Sequence, residues 1–317
     1  IVSIESIVEK YQKDKIENGD FLDKVKTAGR VKSLRSSGQK LMFIDLDSNN
    51  CTIQIIANGT HIADQIETIK AKIKRGDILE VEGHIGRSKR GELSILMSNF
   101  KILATCLHML PEEHYGLKDP ELRFRHRYID LITDSSKINI FKTRSKILKI
   151  LRRELDKLGF LEVETPVLSM IAGGATARPF KTFHNSINQE MSLRVAPELY
   201  LKQLLVGGIE RVFEIGKCFR NESIDTTHNP EFTSCELYSA YWDYYKMMDF
   251  TENLLRTIVS EVNKNKGSLL IPISQNNETK KKSKEDLVID FSAKFRRISV
   301  VEELEKILNI KFLFEDG

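Results

Sequence analysis

The 317-residue chain is 41% hydrophobic and 30% charged, with a formal net charge of +4, the profile of a globular protein long enough for two domains. No stretch approaches the ~18 consecutive apolar residues of a membrane span, and residues 1–15 are too charged for the apolar core of a signal peptide, so a cytoplasmic protein with no membrane attachment is expected. The mild positive charge neither requires nor excludes nucleic acid, because the placement of the basic residues decides phosphate binding.

Residues 21–104 read as strands. The first covers 25–31 and the second 41–46. Asp47, Ser48, Asn49 and Asn50 have the composition of a turn, and a third strand runs over 51–57. Residues 62–74 switch to helical spacing, with Ile62, Ile66, Ile69 and Ile73 on one stripe. A fourth strand at 78–81 and a fifth at 93–97 complete the set. Five short strands with one helix between the third and fourth is the order of an OB-fold barrel, which commonly binds oligonucleotides; by pattern alone other small β-rich barrels remain open.

Residues 105–136 form a charged connector with Pro111, Pro120 and the run Arg123-Phe124-Arg125-His126-Arg127-Tyr128. Basic residues interleaved with aromatics can bind nucleic acid, but a solvated helix packed by Phe124, Tyr128 and Leu131 is the favoured reading. A helix over 147–158 follows, stopped by Gly159. A half-buried strand is expected at 160–164, ended by Pro166. Further on, 198–206 reads as a helix, 211–219 and 232–242 as strands, 244–263 as a helix and 302–308 as the start of another. The Lys-rich stretch 275–286, with Lys280, Lys281, Lys282 and Lys284, reads as a solvated loop. The resulting organisation is an N-terminal barrel at 1–108, a connector at 109–136 and a second domain at 137–317. The four cysteines, Cys51, Cys106, Cys218 and Cys235, form no CxxC; they read as free thiols, and no metal ligands are assigned.

Chemistry concentrates in two segments. In the first, a strand is expected to carry Arg220 and Glu222 on one face, a loop carries His228 and Asn229, and a second strand starts near Phe232. Arg suits a phosphate oxygen, an aromatic ring can stack on a purine, and a carboxylate can accept from an exocyclic amine. That set fits ATP without a glycine-rich phosphate loop, and no Walker A or GxGxxG pattern occurs in the chain. The second segment, Val195 to Tyr200, places Glu198 shortly before the first.

The pattern F-R-x-E, a loop, then H-x-x-x-F resembles motif 2 of the class II aminoacyl-tRNA synthetases. Residues 159–166, GFLEVETP, are similar to motif 1, the helix and strand that build the dimer interface of that class. Glu198 stands where the aspartyl and asparaginyl members resemble S-P-Q-L. With Ile171-Ala-Gly-Gly-Ala175, Cys235-Glu236-Leu-Tyr238, Cys106 to Pro111 and Gly116 to Asp119, this points within the class to its lysyl members. The resemblance runs from about residue 21 to the end.

It implies an α+β architecture: an N-terminal OB-fold barrel followed by a class II catalytic domain built on an antiparallel sheet with flanking helices. It implies a lysine–tRNA ligase that forms lysyl-adenylate from L-lysine and ATP with Mg²⁺, then passes lysine to the 3′-terminal adenosine of lysine tRNA. Arg220 would bind the α-phosphate and the lysine carboxylate. Asn221 and Glu222 would sit at the adenine, Phe232 would stack on it, and His228 and Asn229 would reach the nucleotide. Gly174, Glu198, Glu236 and Tyr238 would line the lysine pocket with Arg220. Arg35, Phe43, Gln54 and Glu92 would read a U-rich anticodon, with ordinary barrel core as the alternative for Phe43. A homodimer through motif 1, the helix to Leu158 and the strand to Pro166, is expected. Two departures follow. The chain opens on Ile1 rather than Met, and it stops at Gly317 without a motif 3, where the family's Mg²⁺ ligands are expected; this reads as a truncation that by itself would be inactive. An aspartyl or asparaginyl enzyme and a non-catalytic tRNA-binding derivative are the alternatives.

Overall fold

Residues 1–60, 62, 66–111, 117–263, 267–272 and 288–312 are described by the computed structural model. Contacts divide the chain into two compact units, Ile1–Lys142 and Thr143–Gly317.

The first unit opens on a helix that the strand pattern did not announce, α1 (Ile4–Tyr11). Ser3 caps it by accepting a hydrogen bond from the Ser6 amide at 3.1 Å. Its apolar stripe of Ile4, Ile7 and Tyr11 joins the barrel core. Five strands close that barrel in the order β1-β2-β3-β5-β4: β1 (Phe21–Ser36), β2 (Leu41–Ser48), β3 (Cys51–Asn58), β4 (Ile78–Arg87) and β5 (Leu93–Ala104). The helix α2 (Ile66–Lys72) lies between the third and fourth. Closure leaves no sheet edge unpaired. β3 and β5 pair in parallel and the other neighbours antiparallel, as the OB-fold expectation requires.

Each strand is longer than its hydrophobic run, because the hydrogen-bonded ladder continues where the side chains face water. Asn49 and Asn50 both adopt positive φ, 53° and 68°, the backbone that a two-residue hairpin turn demands and that Asn tolerates. Alternation along β2 sends Met42, Ile44 and Leu46 into the core, so Phe43 points away from it. That removes the barrel-core alternative for Phe43.

The connector folds as α3 (Pro120–Arg125), α4 (Arg127–Thr133) and a 3₁₀ turn at Ser135–Lys137. Here the expected packing fails: Phe124 is 75% and Tyr128 63% exposed, and Leu131 is only half-buried. Two helices this short build no continuous apolar face. A charge anchors them instead. Asp130 is fully buried and accepts from Arg123 Nε at 3.1 Å, Arg127 Nη1 at 3.3 Å and Lys137 Nζ. Burial alone would raise its carboxyl, but the hydrogen bond and charge of Lys137, then of Arg123, hold it below the ordinary carboxylate range. Two of the basic residues that could have served nucleic acid are committed here.

The helix α5 (Ile138–Lys157) starts nine residues earlier than its stripe predicted and ends at Gly159, whose φ of +74° suits glycine. Then follow β6 (Leu161–Glu162), β7 (Leu168–Ser169), β8 (Lys181–His184), β9 (Gln189–Leu193), α6 (Glu198–Val206), β10 (Arg211–Phe219), β11 (Glu231–Ser239) and α7 (Tyr244–Val262). A short pair, β12 (Leu270–Pro272) and β13 (Val288–Asp290), and α8 (Val300–Leu308) complete the described elements. The strand expected at 160–164 shrinks to two residues and pairs parallel with β10. The central sheet runs β11-β10-β6 and a second one β7-β9-β8. The Lys-rich stretch 275–286, Gly116 and residues 313–317 lie outside the described residues.

The β10–β11 hairpin is two-faced. Phe213, Ile215, Cys235 and Leu237 share one side and pack with Leu155, Phe160, Trp242 and Phe250. Phe160 meets Trp242 edge-on at 5.6 Å between centroids. Burial, helped by Glu162 and Glu236, pushes the Cys235 thiol up to about 11, so it is inert at neutral pH. The opposite side carries Glu214, Gly216, Cys218, Phe232, Ser234, Glu236 and Tyr238, by the period of two.

Asp130→Ala leaves three clustered cations without their acceptor. Unfolding in urea is expected to show a loss of about 1–3 kcal/mol, below the ~3–5 kcal/mol of a fully buried pair because the arginines keep part of their surface in water.

Candidate active site

The polar face of the hairpin is organised by a charge that the sequence reading missed. Arg194 follows β9 and is 4% exposed, as is Glu214 on β10. The guanidinium donates to Glu214 Oε1 at 2.5 Å, Thr165 Oγ1 at 3.0 Å, Thr165 O at 3.2 Å and Lys217 O at 2.8 Å. Glu214 Oε2 accepts from the Thr165 hydroxyl at 2.6 Å and its amide at 3.2 Å. Its main chain extends the tie, since Arg194 N donates to Val167 O and Arg194 O accepts from Phe219 N. One residue thus fixes the segment after β6, the middle of β10 and the residue before Arg220. Each of these charges is a single charge inside an apolar run, Leu193-Arg194-Val195-Ala196 and Val212-Phe213-Glu214-Ile215. That was the available signal, because a lone charge in such a run needs a partner.

β10 ends at Phe219, so Arg220 and Glu222 do not ride on a strand as expected. Arg220 stays in register through its amide, which donates to Pro230 O at 2.8 Å. Beyond it the chain turns to Arg178: Asn221 N donates to Arg178 O at 2.8 Å, and Arg178 N to Glu222 Oε1 at 3.3 Å. The Arg220 guanidinium stands 5.1 Å from the Phe232 ring centroid. Its Nε is buried without a hydrogen-bond partner, as among the described residues is only Trp242 Nε1. A buried guanidinium nitrogen with no acceptor is a place for an anion.

Arg220, Glu222, Ser223, Thr227, His228, Asn229, Pro230 and Phe232 enclose a pocket of about 240 Å³. Asp225 shapes its loop by accepting from the Thr227 and His228 amides at 2.7 and 2.8 Å and from His228 Nδ1 at 2.9 Å. These bonds, the Thr227 amide first, hold its carboxyl far below the usual range.

Beside this pocket the structure brings together Gly174, Glu198, Glu236 and Tyr238. Gly174 has φ +89°, and a Cβ there would come 2.9 Å from Glu198 Cβ. Tyr238 Oη donates to Glu236 at 3.3 Å. Burial raises the Glu236 carboxyl; the Tyr238 bond opposes that, Glu198 adds to it, and Arg194 and Arg220 draw it back. Burial and the same two carboxylates raise the Tyr238 phenol. Lys202, one turn on from Glu198, places its ammonium 2.6 Å from Glu198 and 5.6 Å from the Tyr238 ring centroid. Glu198 and the Tyr238 ring here already hold one ammonium, and among the described residues no cation lies at hydrogen-bond distance from Glu236.

On the barrel, Arg35 lies opposite Phe43 and pairs with Asp45 at 3.1 Å. Gln54 donates to Glu92 at 2.7 Å and accepts from Ser94 Oγ at 3.0 Å. Gln54 is buried, so it and Glu92 act as a pair; Asp45 and Ser94 were not foreseen. No group of three or more His, Cys, Asp or Glu side chains among the described residues is arranged to hold a metal ion, so the described residues form no all-protein cage for Mg²⁺.

Residues 119–314, more than half of the chain, match the family described as tRNA synthetases class II (D, K and N), and residues 25–103 match the OB-fold nucleic acid binding domain. The chain is 45% identical over 285 residues to a lysine–tRNA ligase of Magnetococcus marinus, covering 90% of this chain and 54% of that protein. It is 51% identical over 236 residues to lysine–tRNA ligase 2 of Methanosarcina acetivorans, covering 74% and 46%. It is 42% identical over 288 residues to a probable cytoplasmic lysine–tRNA ligase of Vairimorpha ceranae, covering 91% and 54%. The chain spans about half the length of these curated relatives.

Gly174→Ala forces an L side chain to positive φ and against Glu198. A loss of roughly 1–3 kcal/mol in denaturant unfolding is expected, with the secondary-structure content unchanged by circular dichroism.

Proposed function

Because the chain belongs to the class II tRNA synthetases of the D, K and N group, we propose that it serves a lysine–tRNA ligase: ATP and L-lysine form lysyl-adenylate, which then charges lysine tRNA. The observation that best supports lysine is the convergence of Glu198 and Glu236 under Tyr238 beside Arg220, since lysine brings two ammonium groups and one carboxylate.

In the first step a lysine carboxylate oxygen attacks the α-phosphorus of ATP and pyrophosphate leaves. No side chain becomes covalently attached; catalysis is alignment and charge stabilisation. Arg220 binds the α-phosphate and the lysine carboxylate, its buried Nε having no acceptor among the described residues. Phe232 stacks on adenine, Asn221 and Glu222 face its edge, and His228 and Asn229 reach the nucleotide from the loop. Glu198, Glu236 and Tyr238 take the ammonium groups, and Gly174 admits the substrate backbone close to Glu198. In the second step a hydroxyl of the tRNA's terminal adenosine attacks the lysyl carbonyl and AMP leaves. The family uses Mg²⁺ with ATP; no step is assigned to it, because no described cluster suits it.

The barrel contributes anticodon recognition, with Phe43 as a stacking platform, the Gln54–Glu92 pair on a base edge and Arg35 along the strand. A cytoplasmic homodimer through the motif 1 helix and strand completes the reading. No described helix is long and apolar enough to cross a membrane.

ATP–pyrophosphate exchange with lysine, aspartate and asparagine, measured on the complete enzyme, tests the reading. Exchange with lysine alone is expected, and exchange driven by aspartate or asparagine would reassign the pocket. Arg220→Ala is expected to slow lysine-dependent exchange by at least ~10²-fold, by analogy with loss of an oxyanion donor. For the barrel, Gln54→Ala is expected to weaken discrimination between lysine and non-lysine anticodons by about 1–3 kcal/mol, read as the ratio of tRNA dissociation constants; an unchanged ratio removes Gln54 from that role.

A further inference from the structure

Glu214 and Glu236 lie directly opposite one another on β10 and β11, on the polar side of the hairpin. Residues so placed have their Cβ atoms ~5 Å apart, and like charges in that position repel. Both are drawn out of water, Glu214 almost completely. The fold answers with the Arg194 guanidinium, and it reserves the space: a Cβ at Gly216 would fall 2.2 Å from Arg194 Nη2. Gly216 faces Ser234 in the ladder, so a guanidinium lying on it stands diagonal to Glu236 as well as bonded to Glu214.

We propose that Arg194 is a positioning residue for amino-acid binding: lying on this face over Gly216, it supplies the counter-charge that keeps Glu236 an ionised carboxylate beside Glu214, ready for a substrate ammonium. The proposal rests on the reading of this face as a lysine site and adds to it a residue that touches no substrate. The other groups facing Glu236 divide in sign. Glu198 of α6 opposes its ionisation, itself offset by Lys202 on the same helix. Glu214 of β10 stands opposite it in the ladder, Arg220 just beyond β10 favours its ionisation, and Tyr238 on its own strand donates to it. Arg220 has a phosphate and a carboxylate to meet, and Lys202 is paired with Glu198; among the described residues Arg194 is the cation bonded to Glu214 and set diagonal to Glu236. The direction of the Glu236 carboxyl agrees, raised by burial and drawn back by Arg194.

A residue that merely braces the fold would change stability and leave the pH dependence of lysine binding alone. A counter-charge moves that dependence. Lysine binds ionised Glu236, so affinity falls as pH drops through its raised value; without Arg194 that value climbs further and the acidic limb shifts to higher pH. The experiment is calorimetric lysine binding from pH 5 to 8 for the wild-type protein, Arg194→Met and Arg194→Lys, with thermal melts alongside. Arg194→Met is expected to move the acidic limb upward and to weaken binding about tenfold or more within it, whereas Arg194→Lys keeps the limb while its melting temperature falls. If Arg194→Met does not fold, Glu214→Gln and Glu214→Gln/Arg194→Gln are compared, since neither leaves the buried Glu214 carboxylate without a partner; the double variant is expected to have the higher limb. Coincident limbs in either comparison overturn the role of Arg194 and leave the lysine reading standing. Absence of lysine binding by the wild-type protein at every pH overturns that reading and this inference with it.

Discussion

The polar face of the hairpin in the second unit depends on the buried pair of Arg194 and Glu214. Arg194 and Glu214 are both removed from water and satisfy each other together with Thr165 and the Lys217 carbonyl. Such a pair contributes little net stability, because desolvation offsets most of the attraction, but losing either partner is severe. Its value here is geometric. Thr165 belongs to the segment that ends the motif 1 strand, Glu214 to the centre of the motif 2 strand, and Arg194 to the approach to Glu198. A rigid fork with fixed donors sets the register among three pieces of chain that are distant in sequence. The backbone bond from Phe219 N to Arg194 O carries that register to Arg220.

A hairpin with two unlike faces makes this possible. The apolar side rests on Leu155, Phe160, Trp242 and Phe250, which stabilises the strands without using any polar group. The other side is then free to carry charges that would be costly elsewhere. Its pocket departs from phosphate sites built on glycine-rich loops: a guanidinium over an aromatic ring, with a loop drawn tight by Asp225, offers an anion site and a flat apolar surface side by side. The neighbouring carboxylates form a second, oppositely charged region. Adjacent anion-receiving and cation-receiving regions suit a nucleotide next to a cationic amino acid.

The first unit solves a different problem. Its barrel is held by a continuous aliphatic core to which α1 adds Ile4, Ile7 and Tyr11, and the alternation of β1 and β2 leaves Arg35, Phe43 and Asp45 outside that core. The connector has too little apolar surface to do the same. It is held by Asp130 and three cations, which leaves Phe124 and Tyr128 in water. A basic-aromatic run that resembles a nucleic-acid strip is, for Arg123 and Arg127, a local structural device.

Periodicity was enough for the succession of five strands and a helix in the first unit, the bounds of α6 and β10 and the stop at Gly159, and the motif resemblance pointed to Arg220, Glu198, Glu236 and Phe232 as the residues to examine, because each of these depends on local spacing or on a motif with fixed intervals. The helix α1 was legible in its Ile4–Ile7–Tyr11 spacing and in Ser3, although the dense charge of the segment obscured it. What only the tertiary structure decided concerns partners far apart in the chain. The pairing of Arg194 with Thr165 and Glu214, the commitment of Gln54 to Glu92 and Ser94, the shortening of the motif 1 strand and the exposure of Phe124 all depend on which distant atoms come within ~3 Å. Hydrogen bonds and buried charges are short-ranged and directional, so a sequence shows that a lone charge in an apolar run must find a partner, and the fold alone chooses which one.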